Sequence, residues 1–138
     1  MVRAGINEAR LKRFGGRIFI YIDDERAIKL ADRESITRAA AAMRLVINEG
    51  IADGSIILIG NSPTAAFELA NGVKQGLARP ALIIATPVGF IGAAKSKEAI
   101  SNLPMPFIIV QGPKGGSALA IAIFNALLSI TEGETKAS

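Results

Sequence analysis

Ser55-Ile56-Ile57-Leu58-Ile59, followed by Gly60-Asn61-Ser62-Pro63-Thr64 and then an Ala-rich helical pattern, is the stretch that decides the fold. The same order recurs twice. Ala81-Leu82-Ile83-Ile84-Ala85 runs into Thr86-Pro87-Val88-Gly89-Phe90-Ile91-Gly92, and Phe107-Ile108-Ile109-Val110 runs into Gln111-Gly112-Pro113-Lys114-Gly115-Gly116-Ser117. Short apolar runs without alternation, each followed by a helix, mark strands buried on both faces of a parallel sheet. The expected class is therefore α/β: a three-layer, doubly wound, mostly parallel sheet built from Rossmann-like strand-loop-helix units. All three loops then fall on one edge, outside the carboxyl ends of the strands, where open α/β sheets bind ligands.

Working outward, Arg17-Ile18-Phe19-Ile20-Tyr21-Ile22 is β-rich and reads as a fourth strand, closed by Asp23-Asp24. Residues 1–16 are a lead-in with a helical turn near Asn7–Arg13. Asp24 is placed to cap a helix over Glu25–Ala31. Ala39, Ala42, Met43, Val46 and Ile47 recur at helical spacing within a helix expected from Ser35 to Glu49, stopped by Gly50. Pro63, behind Ser62, starts another helix that runs to about Gln75. Glu98, Ala99, Ile100 and Leu103 belong to a helix that must end before Pro104 and Pro106. The last helix, 117–130, is apolar almost all round, as expected of one packed on the sheet and against a partner. One domain over 1–131 and a disordered polar tail over 132–138 complete the expectation.

The 138 residues are 50% hydrophobic and 20% charged, with no cysteine and no histidine. No apolar stretch approaches the ~20 residues needed to span a bilayer, and the first residues carry no export signal. A soluble, cytoplasmic protein is expected, without disulfides or thiolate metal sites. The net charge of +4 is spread rather than run together, and aromatics are 5% with no Trp, which argues against nucleic acid. A solvated basic surface and an anionic small ligand both account for the charge. Without histidine, any acid–base chemistry must use another group.

Each loop sets backbone N–H groups at a helix N-terminus, where free donors and the helix dipole attract carboxylate or phosphate. Gly115 and Gly116 permit close approach, Lys114 adds charge and Ser117 a hydroxyl, but the residue order is not that of a Walker loop, nor is Gly89-Phe90-Ile91-Gly92 a dinucleotide fingerprint. Any one of these glycines is explained by a tight turn; three such loops on one edge favour an anion site. Arg38, opening a helix after Thr37, opposes the helix dipole and so suits a residue kept for a carboxylate. Asp23 and Asp24 are candidate acids, although capping accounts for them as well, and Tyr21 reads as core.

Taken in order, Ile36-Thr37-Arg38-Ala39-Ala40-Ala41, Ile59-Gly60-Asn61-Ser62-Pro63-Thr64-Ala65, Pro87 to Lys97 and Lys114-Gly115-Gly116-Ser117-Ala118 resemble the precorrin-8X methylmutase family across residues 1–131. The resemblance implies an isomerase of cobalamin biosynthesis that moves a methyl group from C-11 to C-12 of the corrin macrocycle, giving hydrogenobyrinate or its cobalt form. It also implies a homodimer that needs no cofactor and binds an anionic tetrapyrrole near the subunit interface. The implied substrate-binding residues are Thr37, Arg38, Asn61, Ser62, Thr64, Val88, Gly89, Phe90, Lys114, Gly115, Gly116 and Ser117.

The chain departs from the family pattern at several positions. Ala39 stands where the family motif has serine, Lys95 where many members have Glu, and Gln111 where an Arg precedes the Gly-rich loop. The resemblance further implies residues before the position matching Met1, among them a strand and a helix whose histidine protonates the macrocycle. Asp23 is the weak substitute within these 138 residues. A corrinoid-binding relative without isomerase activity, and a phosphate-binding α/β module, are the alternatives.

Overall fold

The computed structural model describes residues 6–13, 16–89, 91–110 and 115–137. In chain order they form α1 (Glu8–Arg13), α2 (Glu25–Glu34), α3 (Arg38–Asn48), β1 (Ile56–Ile59), α4 (Pro63–Lys74), β2 (Leu82–Ala85), α5 (Ile91–Ser101), β3 (Phe107–Ile109) and α6 (Ser117–Ala137). The three strands form a parallel sheet in the order β1-β2-β3, with Ile57 opposite Ile83 and Ile83 opposite Phe107. Parallel neighbours need crossovers, and here α4 and α5 supply them.

The sheet is covered on both sides, so the three-layer α/β expectation holds. Ile57, Ile59, Ile83 and Ala85 face a core shared with Met43 and Ile47 of α3, Leu69 of α4 and Ile100 of α5. Ile84, with Leu58, Leu82 and Ile108, faces Ala120, Phe124 and Leu128 of α6. Both sets come from alternating positions of the same strands, which is why the strand sequences themselves do not alternate. Gly72 lets α4 approach α3, since a Cβ there would stand 2.8 Å from Ile47 Cδ1. The second helix, α2, lies outside α3 and shares with it a smaller cluster of Ala27, Leu30, Ala41 and Ala42.

Four expectations need correction. The fourth strand expected over 17–22 is not formed among the described residues: 17–21 take no regular secondary structure and Ile22 enters a turn, because a strand is completed only by a neighbour that accepts its hydrogen bonds. The first capped helix runs on to Glu34, where Ser35 closes it in the left-handed conformation at φ 54°. The long helix, expected from Ser35 to Glu49, runs from Arg38 to Asn48, with Thr37 as its cap. The last helix does not stop near 130 but continues to Ala137. Glu and Lys in that stretch are good helix formers and a lone Gly133 is tolerated.

Candidate functional site at the carboxyl edge of the sheet

The loops after β1, β2 and β3 meet at one edge, as the parallel order requires, and two side chains tie them together. Asn61 accepts from the Ser117 N–H through its side-chain oxygen (3.2 Å) and from the Val88 N–H through its carbonyl (3.4 Å). Thr86, fully buried at the end of β2, directs its hydroxyl at three carbonyls: Gly116 at 2.8 Å, Gly60 at 3.1 Å and Ile59 at 3.4 Å. Its own carbonyl accepts from the Gly116 N–H at 2.6 Å. In the sequence Thr86 reads as one residue of a loop. The available signal was a threonine directly ending a doubly buried strand, where a hydroxyl must find partners.

The glycines here are required by crowding. A Cβ on Gly115 would overlap the Thr86 carbonyl, and one on Gly60 would overlap Ser117, whose Cα would lie at 2.9 Å. Gly116, at φ 114°, has the conformation that side chains resist. Ser117 is buried, packed over Gly60. The N–H groups of Gly116 and Ser117 are thus committed inside the protein, and residues 115–117 form a floor rather than a free anion cradle.

Beside this floor, the N-termini of α3 and α4 converge. Thr37 caps α3 by accepting from the Ala40 N–H (3.1 Å), and Ser62 caps α4 by accepting from the Ala65 N–H (3.2 Å). The Thr64 hydroxyl sits between them, 2.6 Å from Thr37 Oγ1 and 2.8 Å from Ser62 Oγ. Three hydroxyls have three hydrogens, and two oxygen–oxygen contacts use two. One O–H therefore remains for an acceptor outside the trio, whichever way the hydrogens point.

Arg38 follows Thr37 at the start of α3, half-exposed, with one guanidinium nitrogen 3.5 Å from Asp23 Oδ1. That contact is long, and Asp23 is 88% exposed, so it is a weak, solvated pair. Val88 and Gly89 are exposed on the loop after β2. Phe90 and Lys114, also expected at the site, lie outside the described residues. The structure therefore gathers Thr37, Ser62 and Thr64 into one hydroxyl group, ties Asn61, Val88, Gly116 and Ser117 into the floor, and sets Arg38 next to the first.

The other acids are engaged elsewhere. Asp24 caps α2 through the Arg26 N–H and also holds the Arg26 guanidinium, whose hydrogen bonds keep its carboxyl below the usual carboxylate range. Tyr21 donates to Glu49 at 2.6 Å, and that bond raises the phenol's pKa. On α5, Lys97 is buried and burial pushes its ammonium pKa down, whereas Lys95 is exposed. A groove of about 470 Å³ between α2 and α3 gathers Arg26, Lys29, Arg33 and Arg44. Asp24 and Glu49 pair with Arg26, and Glu68 with Arg44, so much of its charge is already matched. Among the described residues no group of three acidic or thiol side chains is arranged to hold a metal ion, and no helix is long and apolar enough to cross a membrane.

Comparison with known proteins places this architecture. The family profile described as CbiC, precorrin-8X methylmutase, matches residues 1–130. The cobalt-precorrin-8 methylmutase of Priestia megaterium is 46% identical over 127 residues, covering 92% of this chain and 56% of that protein. The precorrin-8X methylmutase of a Sinorhizobium species is 43% identical over 129 residues, covering 92% and 60%. A solved precorrin-8X methylmutase from Thermus thermophilus superposes with a TM-score of 0.84 at 36% identity, over 94% of this chain and 62% of that one. The chain thus spans about three-fifths of the length of the relatives it matches. On this agreement of profile, sequence and three-dimensional structure, the chain belongs to the precorrin-8X methylmutase family.

Proposed function

We propose that the carboxyl edge of this sheet is the corrin-binding part of a precorrin isomerase, which shifts a methyl group from C-11 to C-12 of the macrocycle to give hydrogenobyrinate or its cobalt counterpart. The observation that carries the reading is the meeting of the Thr37–Ser62–Thr64 hydroxyls, Arg38 and exposed Val88 on one surface, in a chain whose relatives are named for that reaction. The substrate is a flat apolar ring fringed with carboxylates. Val88 and Phe90 offer apolar surface to the ring; Arg38, Lys114 and the spare hydroxyl hydrogen offer charge and donors to the carboxylates. The Asn61, Gly115, Gly116 and Ser117 floor holds these groups in place.

The commitment of the Gly116 and Ser117 N–H groups weighs against a phosphate-binding module, which would need them free. The absence of histidine from the 138 residues favours, as second reading, a chain that binds the ring without isomerising it unaided. With Asp24 and Tyr21 occupied, Asp23 is the carboxyl left to supply a proton. A homodimer is proposed through the outer side of α6, where Ala118, Ala122, Ala126 and Ile130 are exposed, and a cytoplasmic location goes with the biosynthetic role.

Titration of the chain with hydrogenobyrinate tests the site. Arg38→Ala removes a charge-assisted pair worth roughly 1.5–3 kcal/mol, so affinity falls about ten- to a hundredfold. Equal affinity of variant and parent removes Arg38 from the site.

A further inference from the structure

Three acids gather where the turn at Ile22 and Asp23 meets α2 and α3, and they differ in how far they are committed. Asp24 uses both carboxylate oxygens on the backbone N–H and guanidinium of Arg26, and Glu49 uses both on Arg26 and the Tyr21 hydroxyl. Asp23 has one contact among the described residues, 3.5 Å from Arg38 Nη1, and its side chain is 88% exposed against 24% for Asp24 and 31% for Glu49. The cation is equally uncommitted. Arg38 opens α3, where the helix dipole repels it, and it meets no other carboxylate within 4.0 Å among the described residues.

Asp23 is nevertheless tied to its place. The Asp24 N–H donates to the Tyr21 carbonyl at 3.1 Å and closes the turn around it, Tyr21 is bonded to Glu49, and Asp24 caps α2. A carboxylate tethered in this way acts at a high effective concentration, so it outcompetes dilute solution anions for the guanidinium. One long contact in water is weak, however, and a ligand carboxylate that takes the guanidinium fork bidentately at about 2.7–2.9 Å gains more than it displaces. We propose that Asp23 is an internal counter-ion that occupies Arg38 in the ligand-free protein and is displaced by a carboxylate of the incoming ligand, and so sets how strongly Arg38 selects for an anionic group. With a macrocycle as the ligand this role rests on the corrin-binding reading; the competition itself belongs to the pair.

The test titrates the chain with acetate at constant ionic strength, followed on the Arg38 Nε–H signal by NMR, and separately with hydrogenobyrinate, followed by absorbance. Asp23→Asn should tighten both ligands about 1.5- to 5-fold, the range open to an exposed pair, and the gain should shrink as salt is raised. For hydrogenobyrinate the gain should vanish in an Arg38→Ala background, and Asp23→Glu should restore the parental affinity. Asp32→Asn removes the same charge from an exposed position on α2 that makes no hydrogen bond or ion pair among the described residues, and should change neither titration. Acetate affinity that Asp23→Asn leaves unchanged or lowers overturns the proposal, as does a gain that survives Arg38→Ala or is matched by Asp32→Asn. Failure of hydrogenobyrinate to bind any variant, with the acetate response as expected, strikes the corrin-binding reading and leaves the counter-ion standing.

Discussion

Thr86→Val should loosen the whole carboxyl edge while keeping the shape of the side chain. The residue is fully buried, and its hydroxyl, at the end of β2, is a shared donor for carbonyls of the other two strand-loop units. A typical hydrogen bond contributes about 0.5–1.5 kcal/mol net, but a buried acceptor left without its donor costs about 1–3 kcal/mol. The Gly116 carbonyl is also reached by the Leu119 and Ala120 N–H groups, and that of Ile59 by the Thr86 N–H, so the loss falls chiefly on Gly60. One orphaned acceptor gives about 1–3 kcal/mol. With an unfolding entropy of about 2.1 cal/mol/K per residue, a chain of this size should melt roughly 3–10 °C lower. Urea unfolding followed by dichroism measures the loss, at unchanged m-value. Amide exchange at Gly116 and Ser117 should quicken in Thr86→Val and stay slow in Thr86→Ser, which keeps the hydroxyl. A valine variant as stable as the parent, with those amides still protected, would refute the role assigned to this hydroxyl.

Gly115→Ala should cost about 1–3 kcal/mol, because the new Cβ meets the Thr86 and Pro87 backbone, which cannot yield as a side chain does; a neutral result in thermal melts would show the loop to be slack. Acid should weaken the Tyr21–Asp24–Arg26–Glu49 clasp. The Asp24 carboxyl, through Arg26, and that of Glu49, through Tyr21 and then Arg26, titrate below their ordinary values of 3.8 and 4.5. The unfolded chain therefore binds more protons as pH drops, and the clasp's contribution, complete above that range, is lost as pH falls through the lowered values. Glu49→Gln should flatten this part of the melting profile; an unchanged acid slope counts against it. Tyr21 contributes in the opposite direction, its raised pKa keeping the bond to Glu49 until pH rises past 10.0. The 138-residue polypeptide supplied with precorrin-8X should turn over at least about a hundredfold more slowly than full-length relatives, since a positioned acid typically contributes 10²–10⁴-fold. Family-like rates would point to Asp23, and Asp23→Asn would then abolish them.

The sequence by itself determined the three strand-loop-helix units, the parallel sheet and the edge on which the loops gather. Apolar runs at Ile56–Ile59, Leu82–Ala85 and Phe107–Ile109 and the stop signals between them are local properties of the chain, and parallel pairing follows from the crossovers they require. Its motifs also carried the family. Tertiary structure alone decided which donors remained for a ligand. The Gly116 and Ser117 N–H groups look free in a sequence, and only the approach of Thr86 and Asn61 from other loops shows them taken. The same holds for Thr64, whose hydroxyl gains its place from Thr37, 27 positions away. Arg17–Ile22 shows the reverse case. Its β-rich composition sets a preference for extended backbone, but a strand needs hydrogen-bonding neighbours on another segment, and composition cannot supply them.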